Sequence, residues 1–274
     1  MTSTQSTNAQ VFRRLHTEGL LILPNAWDAG SARLTESLGA KAIATTSAGV
    51  AWAHGYADGN HLPVKLLATT VAEIARIIQV PLTVDMEGGY SDDPAAVGET
   101  VATVLREGAV GINLEDGTGT PDLLCAKLEH VKRAAARLGV DVFVNTRTDV
   151  YLHALAPRER RVEETLARAE RYRSAGADGL FVPGMTDAAD IRAVASGTKL
   201  PLNIMARPGL PSPSELQALG VRRLSAGINI ATAVLGRAAA LTTAFLRDGA
   251  TPGLFEGALP YPELNALMSA RLPK

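Results

Sequence analysis

Eight short apolar runs, each followed by a helical stretch, constrain this chain more than any other feature. They occupy 20–23, 41–46, 80–84, 109–114, 140–144, 179–182, 200–204 and 221–225. Several helix-to-strand junctions carry the same punctuation: Gly39-Ala40, Gly108-Ala109, Gly139-Val140, Gly176-Ala177 and Gly220-Val221. Strands separated by helices imply βαβ units and a parallel sheet. Eight such units in 274 residues favour a closed (β/α)8 barrel of the TIM type, for which about 250 residues is typical. An open doubly wound sheet would carry a glycine-rich fingerprint after its first strand. Leu23-Pro24-Asn25-Ala26-Trp27 has none. The expected organisation is one α/β barrel domain over 1–274, with a helical extension from about 250. A short helix opens at Val11–Leu15, Asp28 caps the helix from Ala29, and a long apolar helix covers Ile228–Leu246. A last helix runs from Tyr261 to Arg271.

Bulk properties remove several function classes. A net charge of −1 gives no electrostatic case for nucleic acid or an anionic membrane. No apolar run approaches the ~20 residues of a membrane helix, and the polar start MTSTQSTNAQ has no secretory h-region. The one cysteine, Cys125, forbids an internal disulfide and fits a reducing, cytoplasmic setting.

Polar residues gather at the C-terminal ends of the apolar runs, where a barrel builds its active site. They include Asn25 and Asp28; Thr45, Thr46 and Ser47; Asp85 and Glu87; Glu115 and Asp116; Asn145, Arg147 and Asp149; Asn203; and Ser225. The most telling stretch is VPLTVDMEGGY, 80–90. If the strand continues through it, Asp85 and Glu87 share one face and repel unless a cation or proton lies between them. Asp85, Glu87 and Glu115 are therefore candidate ligands of Mg2+ or Mn2+. Arg147 can clamp a carboxylate with its forked guanidinium. Backbone amides of Ser47, Ala48 and Gly49 can cradle another. Asp58, in the loop after the second run, is a candidate for touching metal-bound water or substrate. Asn203 is read as a further substrate-binding residue. A Schiff-base lysine inside the barrel mouth is missing: Lys41 and Lys199 begin their strands.

VDMEGGY, NLEDG and NTRTD, with PNAWDAGSARL before them and RAERYRSAGADGLFVPG after, resemble the isocitrate lyase/phosphoenolpyruvate mutase superfamily. The resemblance covers Leu23 to Leu246. It implies a Mg2+ site and small 2-oxo or hydroxy carboxylic acids, or phosphonates, as substrates. It also implies an enolate held on the metal and, as in many members, a tetramer with an exchanged C-terminal helix, here the one from Tyr261; a homo-oligomer, dimer or tetramer, is expected. By motif the metal aspartate falls on Asp85, the following acid on Glu87 in place of Asp, the glutamate on Glu115 and the substrate arginine on Arg147. The substrate loop matches Ser47, Ala48 and Gly49, and the gating-loop aspartate matches Asp58. Asp58, Glu115 and Arg147 are thus the expected catalytic residues. Asp85 and Asn203 join the substrate contacts.

One departure narrows the expectation. Lyases of this superfamily carry a K-[KR]-C-G-H loop after the glutamate motif; here the shorter Gly117–Cys125 stretch lacks it. A Mg2+-dependent decarboxylase or C–C lyase of a small 2-oxo or 2-hydroxy dicarboxylic acid then fits best. The alternatives are P–C or P–O chemistry on a phosphoenolpyruvate-like substrate and a non-catalytic carboxylate-binding barrel.

Overall fold

The computed structural model describes residues 3–269. Nine parallel strands form one sheet: β1 (Leu21–Leu23), β2 (Asn25–Ala26), β3 (Ile43–Thr45), β4 (Leu82–Asp85), β5 (Gly111–Glu115), β6 (Phe143–Arg147), β7 (Gly179–Phe181), β8 (Leu202–Met205) and β9 (Val221–Ser225). They neighbour in the order β1-β9-β8-β7-β6-β5-β4-β3-β2. β1 pairs with β9 and β2 with β3, so the first stave closes the ring from both sides and the expected eight-staved barrel stands. Nine strands arise because Pro24, which has no N–H to donate, divides that stave. Its carbonyl still accepts from the Ala44 amide at 3.3 Å.

The punctuation works through backbone freedom. Gly39, Gly108, Gly139, Gly176 and Gly220 all adopt positive φ, the region that glycine enters without a Cβ penalty. Twelve α-helices accompany the strands among the described residues, and several match their expected ends. In α2 (Ala29–Ser37), Asp28 accepts from the Ser31 amide at 2.6 Å and completes a capping box. α4 (Val64–Ile77), α5 (Pro94–Arg106) and α6 (Pro121–Leu138) lie between consecutive strands from β3 to β6.

The first helix is longer than expected: α1 is Ser3–Leu15. Its polar beginning does structural work that hydropathy cannot reveal, because buried Gln5 donates to the Leu105 and Ala109 carbonyls at 2.7 and 3.0 Å. α1 plugs the barrel floor. Phe12, Leu21, Leu23, Ala42, Ala44, Val110 and Phe143 form a small core there, separate from the large core between strands and helices. Gly111 makes this possible, since a Cβ on it would stand 2.6 Å from the Phe12 ring.

His16 seals the plug, stacked on Phe143 at 4.1 Å with its Nδ1 on the Phe12 carbonyl. Burial, reinforced by Arg223, drives its pKa down to about 3 from 6.5. Between these values the unfolded chain binds a proton that the folded chain does not, so stability rises with pH. We expect stability to climb from pH 3 to 6.5 by up to ~1.4 kcal/mol per unit, and His16→Phe to flatten that slope in denaturant titrations.

The C-terminal helices differ from the core helices. α10 (Asn229–Asp248) buries only Ala231. Against expectation, it is long and apolar enough to cross a membrane by length and composition. Val234, Leu235, Phe245 and Leu246 lie bare along it, and Ile22, on β1, is 53% exposed. In a (β/α)8 ring a helix normally covers that outer face. The helix from Tyr261 is α12 (Tyr261–Ser269); expected positions 270 and 271 lie outside the described residues. It packs on α2 of its own chain, with Arg33 Nε donating to the Leu267 carbonyl at 3.4 Å.

Candidate active site

Asp85, Glu115 and Arg147 are the last residues of β4, β5 and β6. Parallel register sets Asp85 opposite Asn113 and Glu115 opposite Arg147. The barrel mouth therefore brings these side chains together from three neighbouring staves. Glu115 Oε2 meets Arg147 Nη1 at 2.6 Å. The other edge of Arg147 forks onto Asp149, Nε to Oδ1 at 2.7 Å and Nη2 to Oδ2 at 2.9 Å. Its guanidinium also lies 6.0 Å from the Phe181 ring centroid.

Arg147 thus serves several carboxylates, while the more deeply buried Arg223 also acts on Asp85. Burial pushes Glu115 up to about 8, and the charges of Asp85, Asp149 and Glu87 add to this against the pull of Arg147. Burial raises Asp85 as well, with Arg147 opposing. Asp85 has only long contacts from the Ser47 and Glu87 amides, 3.5 and 3.3 Å. Glu115 and Asp149 outweigh the desolvation of Arg147 and raise its pKa. Excess negative charge on buried oxygen donors suits a hard divalent cation.

The three acids expected to hold a cation do not share one backbone setting. Among the described residues, no three His, Cys, Asp or Glu groups stand close enough to hold an ion directly. The strand ends at Asp85, and Glu87 follows in a left-handed conformation, φ 50°. Strand alternation therefore does not reach it. Its Oε1 accepts from Tyr90 Oη at 2.9 Å and its Oε2 from the Asn60 amide. Mg2+ commonly uses one or two carboxylates and keeps several waters, and Asp85 with Glu115 could supply them.

Ser47, Ala48 and Gly49 lie in the first turn of α3 (Ser47–Ala53) rather than in an open loop. Only the Ser47 amide turns to Asp85. Ala48 is buried, and a Cβ on Gly49 would stand 2.7 Å from Thr46 Cγ2 and 2.9 Å from Trp27 Cβ. That glycine serves packing. Asp58 is exposed in the following loop, and its charge acts on Asp85 and Glu87. Asn203 is 1% exposed; its Oδ1 accepts from Ser225 at 3.3 Å while its Nδ2 is unpartnered. Cys125 is half-buried near the start of α6.

Sequence reasoning under-used three features. Asp149, two residues after Arg147 in NTRTD, fixes the arginine fork. Asp116 is a buried hub that accepts from Tyr172 (2.6 Å), Thr148 (2.7 Å), Arg168 (2.8 Å) and the Asp149 amide (2.9 Å). The i, i+4 spacing of Arg168 and Tyr172 on one helix was the available signal. Arg223 points into the barrel beside Asn113, and alternation in VRRLS singles it out from Arg222.

The profile of the family described as phosphoenolpyruvate phosphomutase matches residues 12–246. The chain belongs to that family. One relative of the phosphomutase-family chain is a protein of Burkholderia cenocepacia J2315, provisionally described as a phosphonomutase. Its crystal structure is 43% identical, with a TM-score of 0.82 over 86% of this chain and 99% of that one. An uncharacterised protein of Mycobacterium tuberculosis (strain ATCC 25618 / H37Rv) is 36% identical over 93% of this chain and 95% of its own length. An oxaloacetate decarboxylase of Paraburkholderia xenovorans (strain LB400) is 30% identical over 78% and 73%. The strand-end acids and Arg147 all fall inside the family match.

Proposed function

We propose that this phosphomutase-family barrel is a Mg2+- or Mn2+-dependent decarboxylase or C–C lyase of a small 2-oxo or 2-hydroxy dicarboxylic acid. The observation that carries the reading is Arg147 set among Asp85, Glu115 and Asp149 at adjoining strand ends. Similarity to an oxaloacetate decarboxylase supports the substrate class.

Asp85 and Glu115 would hold the cation, which supplies Lewis-acid polarisation of a substrate oxygen. Arg147, held in plane by Asp149, would take the substrate carboxylate on the Nη1 edge that Glu115 occupies here. The Ser47 amide, and the free Nδ2 of Asn203, would add contacts. Ala48 and Gly49 would wall the pocket. Cleavage leaves the bonding pair on the substrate's carbon as an enolate, CO2 or a carbonyl fragment departs, and a proton then adds to that carbon. Asp58, whose charge reaches Asp85 and Glu87, would move that proton.

The test is turnover of a panel of such acids with Mg2+, with EDTA and with Arg147→Ala. Mg2+-dependent release of CO2 or a carbonyl product, falling by ~10³-fold or more in the variant, is expected. Turnover indifferent to both changes rejects the reading. A second reading, P–C or P–O chemistry on a phosphoenolpyruvate-like acid, is favoured by the similarity to the Burkholderia protein. Phosphorus NMR of the same mixtures separates the two.

The bare faces of α10 and Ile22 support a homo-oligomer in which a second copy covers them. The apolar area is of the kind that marks subunit interfaces rather than solvated surface. Sedimentation at micromolar concentration should give a dimer or tetramer, and Leu235→Glu should shift it toward monomer. A reducing, cytoplasmic setting belongs to the same reading, given one free thiol.

A further inference from the structure

The loop between α3 and α4, residues 54–63, is exposed from His54 to His61 and returns to the core at Leu62. Its base is tied by the Tyr56 amide on the Ala51 carbonyl, 2.9 Å, and by His54 on Thr70, 2.8 Å. Its tip is tied elsewhere. The Asn60 amide donates to Glu87 Oε2, and Asn60 Oδ1 accepts from the Tyr90 amide at 3.1 Å. Tyr90 Oη in turn donates to Glu87 Oε1. Asn60, Glu87 and Tyr90 all sit at positive φ, 62°, 50° and 62°. Left-handed backbone in three non-glycine residues persists only where surrounding contacts hold it. Here those contacts are the ones that join the loop to the turn after β4.

We propose that Glu87 is a positioning residue, a clamp that with Tyr90 holds the tip of the 54–61 loop down and so places Asp58, rather than a cation ligand. Its bearing on Asp58 rests on the proposed function; the clamp itself does not. Length matters. An aspartate on the same backbone would stop about 1.5 Å, one C–C bond, short of the Asn60 amide. Glu87 is also only 5% exposed, and both of its oxygens are already engaged by the loop tip and by Tyr90.

The experiment pairs hydrogen exchange of the 54–62 backbone with Mn2+ titration of the full-length protein, using Glu87→Ala, Glu87→Asp, Glu87→Gln and Tyr90→Phe. A clamp predicts loop exchange faster by about tenfold in Glu87→Ala and Glu87→Asp, because one hydrogen bond gates local opening. It predicts near wild-type exchange in Glu87→Gln, which still reaches and accepts, and an intermediate rate in Tyr90→Phe, which leaves residue 87 intact. Mn2+ affinity falls by less than about tenfold in the Gln variant, no more than the low end for an outer-shell group. A ligand predicts the reverse order: Asp retains Mn2+ and Gln loses it by tenfold or more. Unchanged loop exchange in the Ala and Asp variants, or the reverse order in Mn2+ affinity, overturns the proposal. Exchange of α5 serves as the folding control. Absence of Mn2+ binding in the wild type would count against the proposed function, and in that case the exchange arm decides the clamp.

Discussion

Asp85→Asn should lower turnover by about 10³-fold or more, roughly 4 kcal/mol of transition-state stabilisation at 1.36 kcal/mol per decade, while making the cation-free protein more stable at neutral pH. Both effects follow from one placement. Asp85 ends β4 inside the barrel mouth, and burial raises its pKa. With a folded pKa above the unfolded value, the folded state keeps a proton that the unfolded chain has released. Its contribution to stability then falls as pH rises above the unfolded value of about 3.9. At neutral pH ionising this poorly solvated carboxyl costs stability, and the proposed divalent cation would offset that cost. The neutral amide removes the cost together with the ligand, a trade between stability and activity common at functional sites. Thermal melts with EDTA should show the Asp85→Asn variant melting above wild type at pH 7, with the gap closing near pH 4. Equal melting at pH 7 together with retained turnover would remove Asp85 from the site.

Asp116→Ala should unfold the protein more readily by about 3–5 kcal/mol, the range for breaking a buried ion pair. The Asp116 side chain is fully buried, and Tyr172, Thr148, Arg168 and the Asp149 amide all donate to it. Truncation leaves Tyr172 and Thr148 without an acceptor and Arg168 with only Glu164, at 2.7 Å. It also loosens the amide of Asp149, the residue that holds the Arg147 fork. Turnover should therefore fall even below the unfolding temperature. The contrast is Asp122, whose ion pair with Arg171 reaches the helix of Arg168 at the surface. Asp122→Ala should cost less than ~1 kcal/mol, as exposed pairs do. Urea midpoints with unchanged slopes would confirm the order, and a smaller shift for Asp116 than for Asp122 would contradict it.

The barrel was legible because periodicity, junction glycines and length all constrain the same thing. Strand ends follow from them, and with strand ends come Asp85, Glu115 and Arg147, whose adjacency needs only parallel register. What lay beyond reach depended on backbone angles and tertiary partners. The alternation that placed Glu87 beside Asp85 assumes extended backbone, and φ of 50° at Glu87 ends that assumption. Ser47-Ala48-Gly49 has the composition of a loop but forms a helical first turn, and residue 49 is glycine because Thr46 and Trp27 leave no room for a side chain there. The polar residues of α1 resemble a solvated tail, yet Gln5 closes backbone carbonyls at the barrel floor. Arg237 and Arg247 interrupt the apolar length of Asn229–Asp248 in sequence, which hides its reach.

The most direct measurement is an equilibrium titration of Mn2+ into EDTA-stripped protein between pH 6 and 8.5. Saturation at one ion per chain is predicted, with affinity rising by up to ~tenfold per pH unit until Glu115 is deprotonated near 8, because ligation must displace that proton. Asp85→Asn should abolish the binding. No saturable site, or a site that survives loss of Asp85, would contradict a cation held by the acids of adjoining barrel strands.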